Sequence, residues 1–439
     1  MTRARPEAAP VTLGELGWTF FLLGLTSYGG PAIVARVRET MLRKGWVSED
    51  ELAESLAFCQ LLPGPIVVQL AAHVGWRRRG GLGAFVSLVT YLLPAFLLMV
   101  ALSAAYFRFG RLPAVAAALK GLRAATVGIV AMAIVSMGRS TLKDWRGLLI
   151  ALGATAGFLL HLNVIGLLVG AALVGWALFP RGSAGPSAVN APARSMSRTW
   201  IWAAVILGGF AALIAASGWL APVYPALGAA MAKINLLAFG GGYTAVALMH
   251  NEAVTGHGWV TGPEFVDGLA LGQVTPGPVI VTATFIGYRL GGLVGAMFAT
   301  ACVFLPSAVL LVVLAPQFER LRRLGAFNRL IRGLLAGFMG MLFFVLWQVA
   351  ASGITDPLSF ALALGSVVAL RFKINPIWVV LGAVAVPLPL LGLRKGRPCT
   401  DIISGADLNS QTRSAVRTFC ALRPPRWRRL CSECASVPQ

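Results

Sequence analysis

Residues 46–65 read WVSEDELAESLAFCQLLPGP, and residues 259–278 read WVTGPEFVDGLALGQVTPGP. Laid over one another without a gap, they match at Trp46/Trp259, Val47/Val260, Ser48/Thr261, Glu51/Glu264, Glu54/Asp267 and Gln60/Gln273. The match runs on through Pro63-Gly64-Pro65 and Pro276-Gly277-Pro278. Two apolar helices share Leu, Val and Ala through composition alone. They do not share Trp, Gln, Glu and a Pro-Gly-Pro in one register that way, so the chain is a duplication. Outward from this stretch, small shifts align Gly29-Gly30-Pro31 with Gly240-Gly241-Gly242, Arg77 with Arg289, Gly83-Ala84 with Gly295-Ala296, and Pro94 with Pro306.

Composition says where such a chain lives. Of 439 residues, 57% are hydrophobic and 12% charged, against about 25% charged in soluble domains. A bilayer absorbs that apolar surface, at roughly 20 residues per span. The expected fold is an all-α polytopic membrane protein of about 12–13 apolar segments. It has two homologous helical halves interrupted by Pro-Gly-Pro helix breaks. The net charge of +21 comes largely from Lys and Arg in short loops, where they set topology. No basic stripe with interleaved aromatics is present, so nucleic acid is not an expected partner; the lipid bilayer is, and a homodimer is an open option.

The halves are expected at residues 1–180 and 200–393, joined by a Pro/Ala/Ser-rich linker at 181–199. The second half carries one extra leading apolar segment, 200–219. If all six earlier segments cross, seven crossings separate equivalent helices and the halves are inverted repeats, a frequent plan among secondary transporters. Residues 394–439 hold no apolar span and four of the six cysteines. They read as a non-family, disordered tail, and Cys431 and Cys434 lack a second pair for zinc.

Four motifs carry chemistry. Gly29-Gly30 and Gly240-Gly241-Gly242 weaken a helix and admit close backbone approach; tight helix packing is the simpler alternative. Each Pro-Gly-Pro removes two backbone donors. The helix start after it would point free amides and a positive dipole end at a cavity, where anions bind; a plain proline kink is the alternative. Ser48 with Glu51, and Thr261 with Glu264, fit capping boxes. Glu54 and Asp267 lie one turn deeper and are candidate proton carriers, or acids at the membrane interface. Arg77, Lys120, Arg123, Lys233 and Arg289 are basic residues near or within apolar segments. An arginine fork suits a tetrahedral oxyanion; snorkelling to headgroups is the alternative.

The four histidines show no metal-ligand spacing. No Gly-rich loop ends in Lys-Ser or Lys-Thr, and no catalytic constellation appears, so neither an enzyme nor a cofactor is expected.

At these residues the sequence resembles the chromate ion transporter family in its long, two-domain form. The resemblance covers about residues 13–390 and rests on the paired Gly-rich, Trp-Val-Ser/Thr and Pro-Gly-Pro elements. It implies a multi-pass carrier for chromate in a bacterial or archaeal inner membrane, with sulfate a related oxyanion. It also implies export driven by the proton-motive force and chromate resistance. On this reading the two Pro-Gly-Pro elements, with Gly29, Gly30, Gly240, Gly241 and Gly242, shape the substrate site. Gln60, Gln273 and Thr275 hydrogen-bond the anion, and Arg77, Arg289 and Lys233 supply positive charge. A carrier of sulfate or another anion, a non-transporting membrane subunit and a membrane enzyme are the competing readings.

Overall fold

Helices begin where the sequence places caps. The computed structural model describes residues 11–27, 31–110, 112–160, 162–180, 208–239, 242–314, 325–372, 374 and 376–386. The linker at 181–199 and the tail at 394–439 lie outside them. The first half runs α1 (Leu13–Leu25), α2 (Pro31–Arg43), α3 (Glu49–Leu61), α4 (Ile66–Phe109), α5 (Pro113–Thr141), α6 (Trp145–Leu159) and α7 (Val164–Leu178). After α8 (Gly208–Trp219) the same series returns. It comprises α9 (Val223–Leu237), α10 (Gly242–His250), α11 (Gly262–Val274), α12 (Thr282–Leu314), α13 (Gly325–Gly353), α14 (Pro357–Arg371) and α15 (Pro376–Ala385). Among the described residues there is no strand. Both capping boxes form: Ser48 and Thr261 accept from the amides of Glu51 and Glu264, whose carboxylates reach back to the cap amides. Among the described residues, four helices are long and apolar enough to cross a membrane: α4, α5, α12 and α13. Leucines standing outward on α6 and α7 fit a lipid-facing surface.

The backbone doubles back where full crossings were expected. α1 and α3 have 13 residues each, about 20 Å at 1.5 Å per residue, well short of the roughly 30 Å hydrocarbon core. Their far ends return to the starting level. Lys44, after α2, meets Glu15 on α1 at 3.1 Å, and Arg77 on α4 meets Glu51 at the start of α3 at 3.1 Å. α4 then reverses at Arg79 and Gly80 (φ 62°, ψ −148°). Its short first part, Ile66–Arg78, crosses its long second part through glycine: a Cβ on Gly75 would lie 2.3 Å from the Gly83 carbonyl oxygen. So α1–α2 and α3 with the first part of α4 are two re-entrant hairpins, the second with Pro63-Gly64-Pro65 at its tip.

The second half repeats this. Arg289 lies 3.8 Å from Glu264, α12 reverses at Gly291 and Gly292, and Gly287 crosses Gly295; Lys233, late in α9, ties to Glu252 after α10 at 2.6 Å. All six positive-φ glycines among the described residues fall into repeat-related pairs: Gly45 with Gly258 (64° and 61°), Gly64 with Gly277 (110° and 109°), and Gly80 with Gly292 (62° and 57°).

The expected seven crossings do not survive this re-entrance, and the inversion rests on contacts instead. The equivalent helices α5 and α13 run antiparallel: Val127 and Arg123 face Gly353, while Gly138 faces Met339. The halves are also interlocked. α6 and α7 pack on α13 of the other half, with Gly340 against Ala151 and Gly333 against Gly175. α14 and α15 pack on α5, with Gly128 against Ser366. Small residues at these crossings let the backbones approach.

Candidate functional site

Each Pro-Gly-Pro contains a single amide, that of its glycine, because proline has none. The Gly64 amide donates to the Ala238 carbonyl at the end of α9 (2.8 Å), and the Gly277 amide donates to the Ser27 carbonyl just after α1 (2.6 Å). Ser27 and Ala238 are themselves repeat-related. Each hairpin tip therefore docks on the Gly-rich hairpin of the opposite half, and the two breaks share the interface between halves. That amide is therefore committed to protein. The free donors are those at the following helix start. α4 begins at Ile66 behind Pro65 with no side-chain cap, and α12 follows the single 3-10 turn Val279–Val281.

The surroundings of the tips differ. At the first tip a Cβ on Gly64 would lie 2.7 Å from Ser307 Oγ and 3.0 Å from Gln69 Nε2. Asn235 Oδ1 accepts from the Ser307 amide (2.7 Å), which follows Pro306. Gln69 Nε2 donates to the Pro63 carbonyl. Asn235 Nδ2 and Gln69 Oε1 are buried with no partner. At the second tip Ala95 Cβ occupies the place of Ser307, 3.2 Å from a Cβ on Gly277. Thr282 stands where Gln69 does and closes on the Val279 carbonyl (2.9 Å); Thr275 donates to the Gly272 carbonyl (2.8 Å). Gln273 Nε2 is buried there without a partner.

The expected cations stand elsewhere. Arg77 and Arg289 pair with the capping glutamates at the open ends of their hairpins, and Lys233 pairs with Glu252. Arg77 lies 12 residues past Pro65, about 18 Å along a helix. Asp267, wholly buried, receives both a two-pronged grip from Arg123 and the Tyr106 hydroxyl (2.8 Å), which come from α5 and α4 of the first half. Gly29, Gly30, Gly240 and Gly241, and the side chains of Glu54 and Gln60, lie outside the described residues. Gly242 opens α10 and faces Val279.

Sequence reading missed Gln69, Ser307 and Tyr106. It noted Arg123 without its partner, since nothing in one sequence ties α5 to α11, and it gave Asn235 no role. Ser307 had a faint signal: it follows Pro306, whose repeat mate Pro94 is followed by Ala95.

Opposed re-entrant hairpins in an inverted, all-helical duplication define a polytopic membrane transporter. The chromate transporter family model matches residues 14–176 and 225–388, one match per half, and the chain belongs to that family. A chromate transport protein of Cupriavidus metallidurans is 31% identical over 397 residues, covering 88% of this chain and 95% of the relative. One from Pseudomonas aeruginosa is 32% identical over 414 residues, covering 87% and 94%. An uncharacterized transporter of Methanocaldococcus jannaschii is 31% identical over 325 residues, covering 74% and 81%. No solved structure matches the chain.

Proposed function

We propose that this protein carries chromate, or a closely similar tetrahedral oxyanion, outward across an inner membrane, driven by the proton-motive force. The path runs between the two Pro-Gly-Pro tips. The observation that carries the reading is the reciprocal pair of hydrogen bonds, Gly64 to Ala238 and Gly277 to Ser27. Each tip is fastened to the opposite half through its one amide, so release of one tip at a time opens the path from one end without the other. Chromate as the substrate follows from the two relatives named for its transport.

Pro63, Gly64 and Pro65, with Pro276, Gly277 and Pro278, shape the path, and Gln60, Gln273 and Thr275 offer hydrogen bonds to the anion. Asp267 and its counterpart Glu54 are the proton carriers. What supports this role for Asp267 is that its salt bridge and its hydrogen bond from Tyr106 both run to the other half. Arg77 and Arg289 act at the hairpin mouths and draw anions toward the path, and Lys233, deeper along α9, adds positive charge.

The test is flux of labelled chromate in proteoliposomes, with and without an imposed pH gradient and with sulfate as competitor. Chromate flux that quickens with the gradient is expected, and Asp267→Asn should abolish that response. Flux of sulfate in preference to chromate would assign the chain to the sulfate carriers. No flux of either anion would remove the transport reading.

A further inference from the structure

The two tips are equivalent in backbone but not in chemistry, and the difference sits where an anion would rest. Three features meet at the first tip. The α4 helix starts at Ile66 with no side-chain cap, leaving first-turn amides and the positive dipole end open. Asn235, 0% exposed, spends its Oδ1 on the Ser307 amide and leaves Nδ2 without a partner. Gln69, 1% exposed, gives its Nε2 to Pro63 and leaves Oε1 without one. Buried polar atoms in native proteins are nearly always satisfied, and two orphans beside one uncapped helix start mark a place for a polar guest. The repeat mates of Asn235, Gln69 and Ser307 are Gly24, Thr282 and Ala95. The second tip therefore keeps Gln273 Nε2 as a lone orphan donor.

We propose that the oxyanion is seated at the first tip alone, between Asn235 Nδ2 and the first-turn amides of α4. The guest is a singly protonated tetrahedral oxyanion. Its acceptor oxygens take the Asn235 and amide donors, and its hydroxyl donates to Gln69 Oε1. No carboxylate or cation is paired at this tip among the described contacts, and a monoanion is less costly there than a dianion. The seat rests on the transport reading and narrows it: one hairpin binds, and the other closes behind.

The test is chromate uptake into proteoliposomes at weakly acidic to neutral pH, where the singly protonated anion is present, by wild type, Asn235→Asp and Gln69→Glu. Asn235→Asp keeps the oxygen that serves the Ser307 amide, so the Pro306 kink is still satisfied, but it replaces the free donor with an ionised acceptor. KM should rise roughly ten- to a hundred-fold, as for loss of a hydrogen bond to a charged group, read on protein that stays folded in the vesicle although the buried carboxylate lowers its melting temperature. Gln69→Glu adds charge on the other side of the same seat, should do the same, and covers the case in which the first variant fails to fold. Wild-type flux with unaltered KM in the folded variants overturns the seat and leaves the transport reading standing. Absence of wild-type flux overturns both.

Discussion

Arg123 of the first half grips both carboxylate oxygens of Asp267 in the second. It does so from the third turn of a spanning helix to the second turn of a re-entrant one. The carboxylate is fully buried and Tyr106 donates to it as well. The repeat mate of Arg123 is Leu335, so the first hairpin has no arginine at the matching position.

Arg123→Leu should strand the Asp267 carboxylate, at a cost of about 3–5 kcal/mol. Arg123→Leu with Asp267→Leu should recover most of that, since an apolar pair of similar volume is often neutral. Thermal unfolding in detergent of the two single variants and the double checks this. A double variant no more stable than Arg123→Leu alone would mean that the residues are not coupled.

Gly64 and Gly277 hold φ near 110°, a region that costs other residues of order 1–3 kcal/mol. Alanine at either should slow transport, and Gly64→Ala should be the worse. Its methyl meets Ser307 Oγ at 2.7 Å, against 3.2 Å to Ala95 for Gly277→Ala. Flux and melting temperature of the pair decide; equal losses would show that backbone strain dominates over contact.

Gly75→Ala and Gly287→Ala should be alike in effect. Each puts a methyl 2.2–2.3 Å from a carbonyl oxygen across the reversal of its own half, an overpacking of typically 1–3 kcal/mol. Paired melting curves test the equivalence, and a variant indistinguishable from wild type would show that its crossing yields freely.

Asp356 caps α14, and hydrogen bonds from Lys120 and then Ser359 bring its carboxyl from an ordinary 3.8 to about 2. A depressed carboxyl contributes stability that is present above 3.8 and lost as pH falls through about 2. The difference in melting temperature between wild type and Asp356→Asn should therefore be constant above pH 3.8 and shrink toward pH 2. A difference that persists at the acid end would assign the effect to packing.

The duplication and the helix starts were legible because they are local. Trp, Gln and Pro-Gly-Pro recur at fixed spacing, and Ser48 and Thr261 announce caps through their own neighbours. Re-entrance was not. Hydropathy sees α3 and the start of α4 as one apolar run, and the reversal at Arg79-Gly80 falls in the basic break after it, which reads as an ordinary loop. The site was half visible. Gln273 and the breaks stood out by repetition, whereas Asn235 and Ser307 matter through a contact between α9 and α12, and through their failure to repeat. The roles expected for Arg77 and Arg289 assumed that equivalent cations converge; the capping glutamates nearest in space claim them first.

The interlock of α6 and α7 with α13, and of α14 and α15 with α5, bears on whether one half can stand alone. A single half severed at the linker would leave its α5 bare and its last two helices without a surface to rest on. Only another half lying head to tail with it supplies both. A free half would therefore need an oppositely inserted partner half to cover both surfaces. Joined through α8, the chain carries both orientations in one polypeptide, and its two halves differ where they meet, as at Asn235 and Gly24 or Arg123 and Leu335.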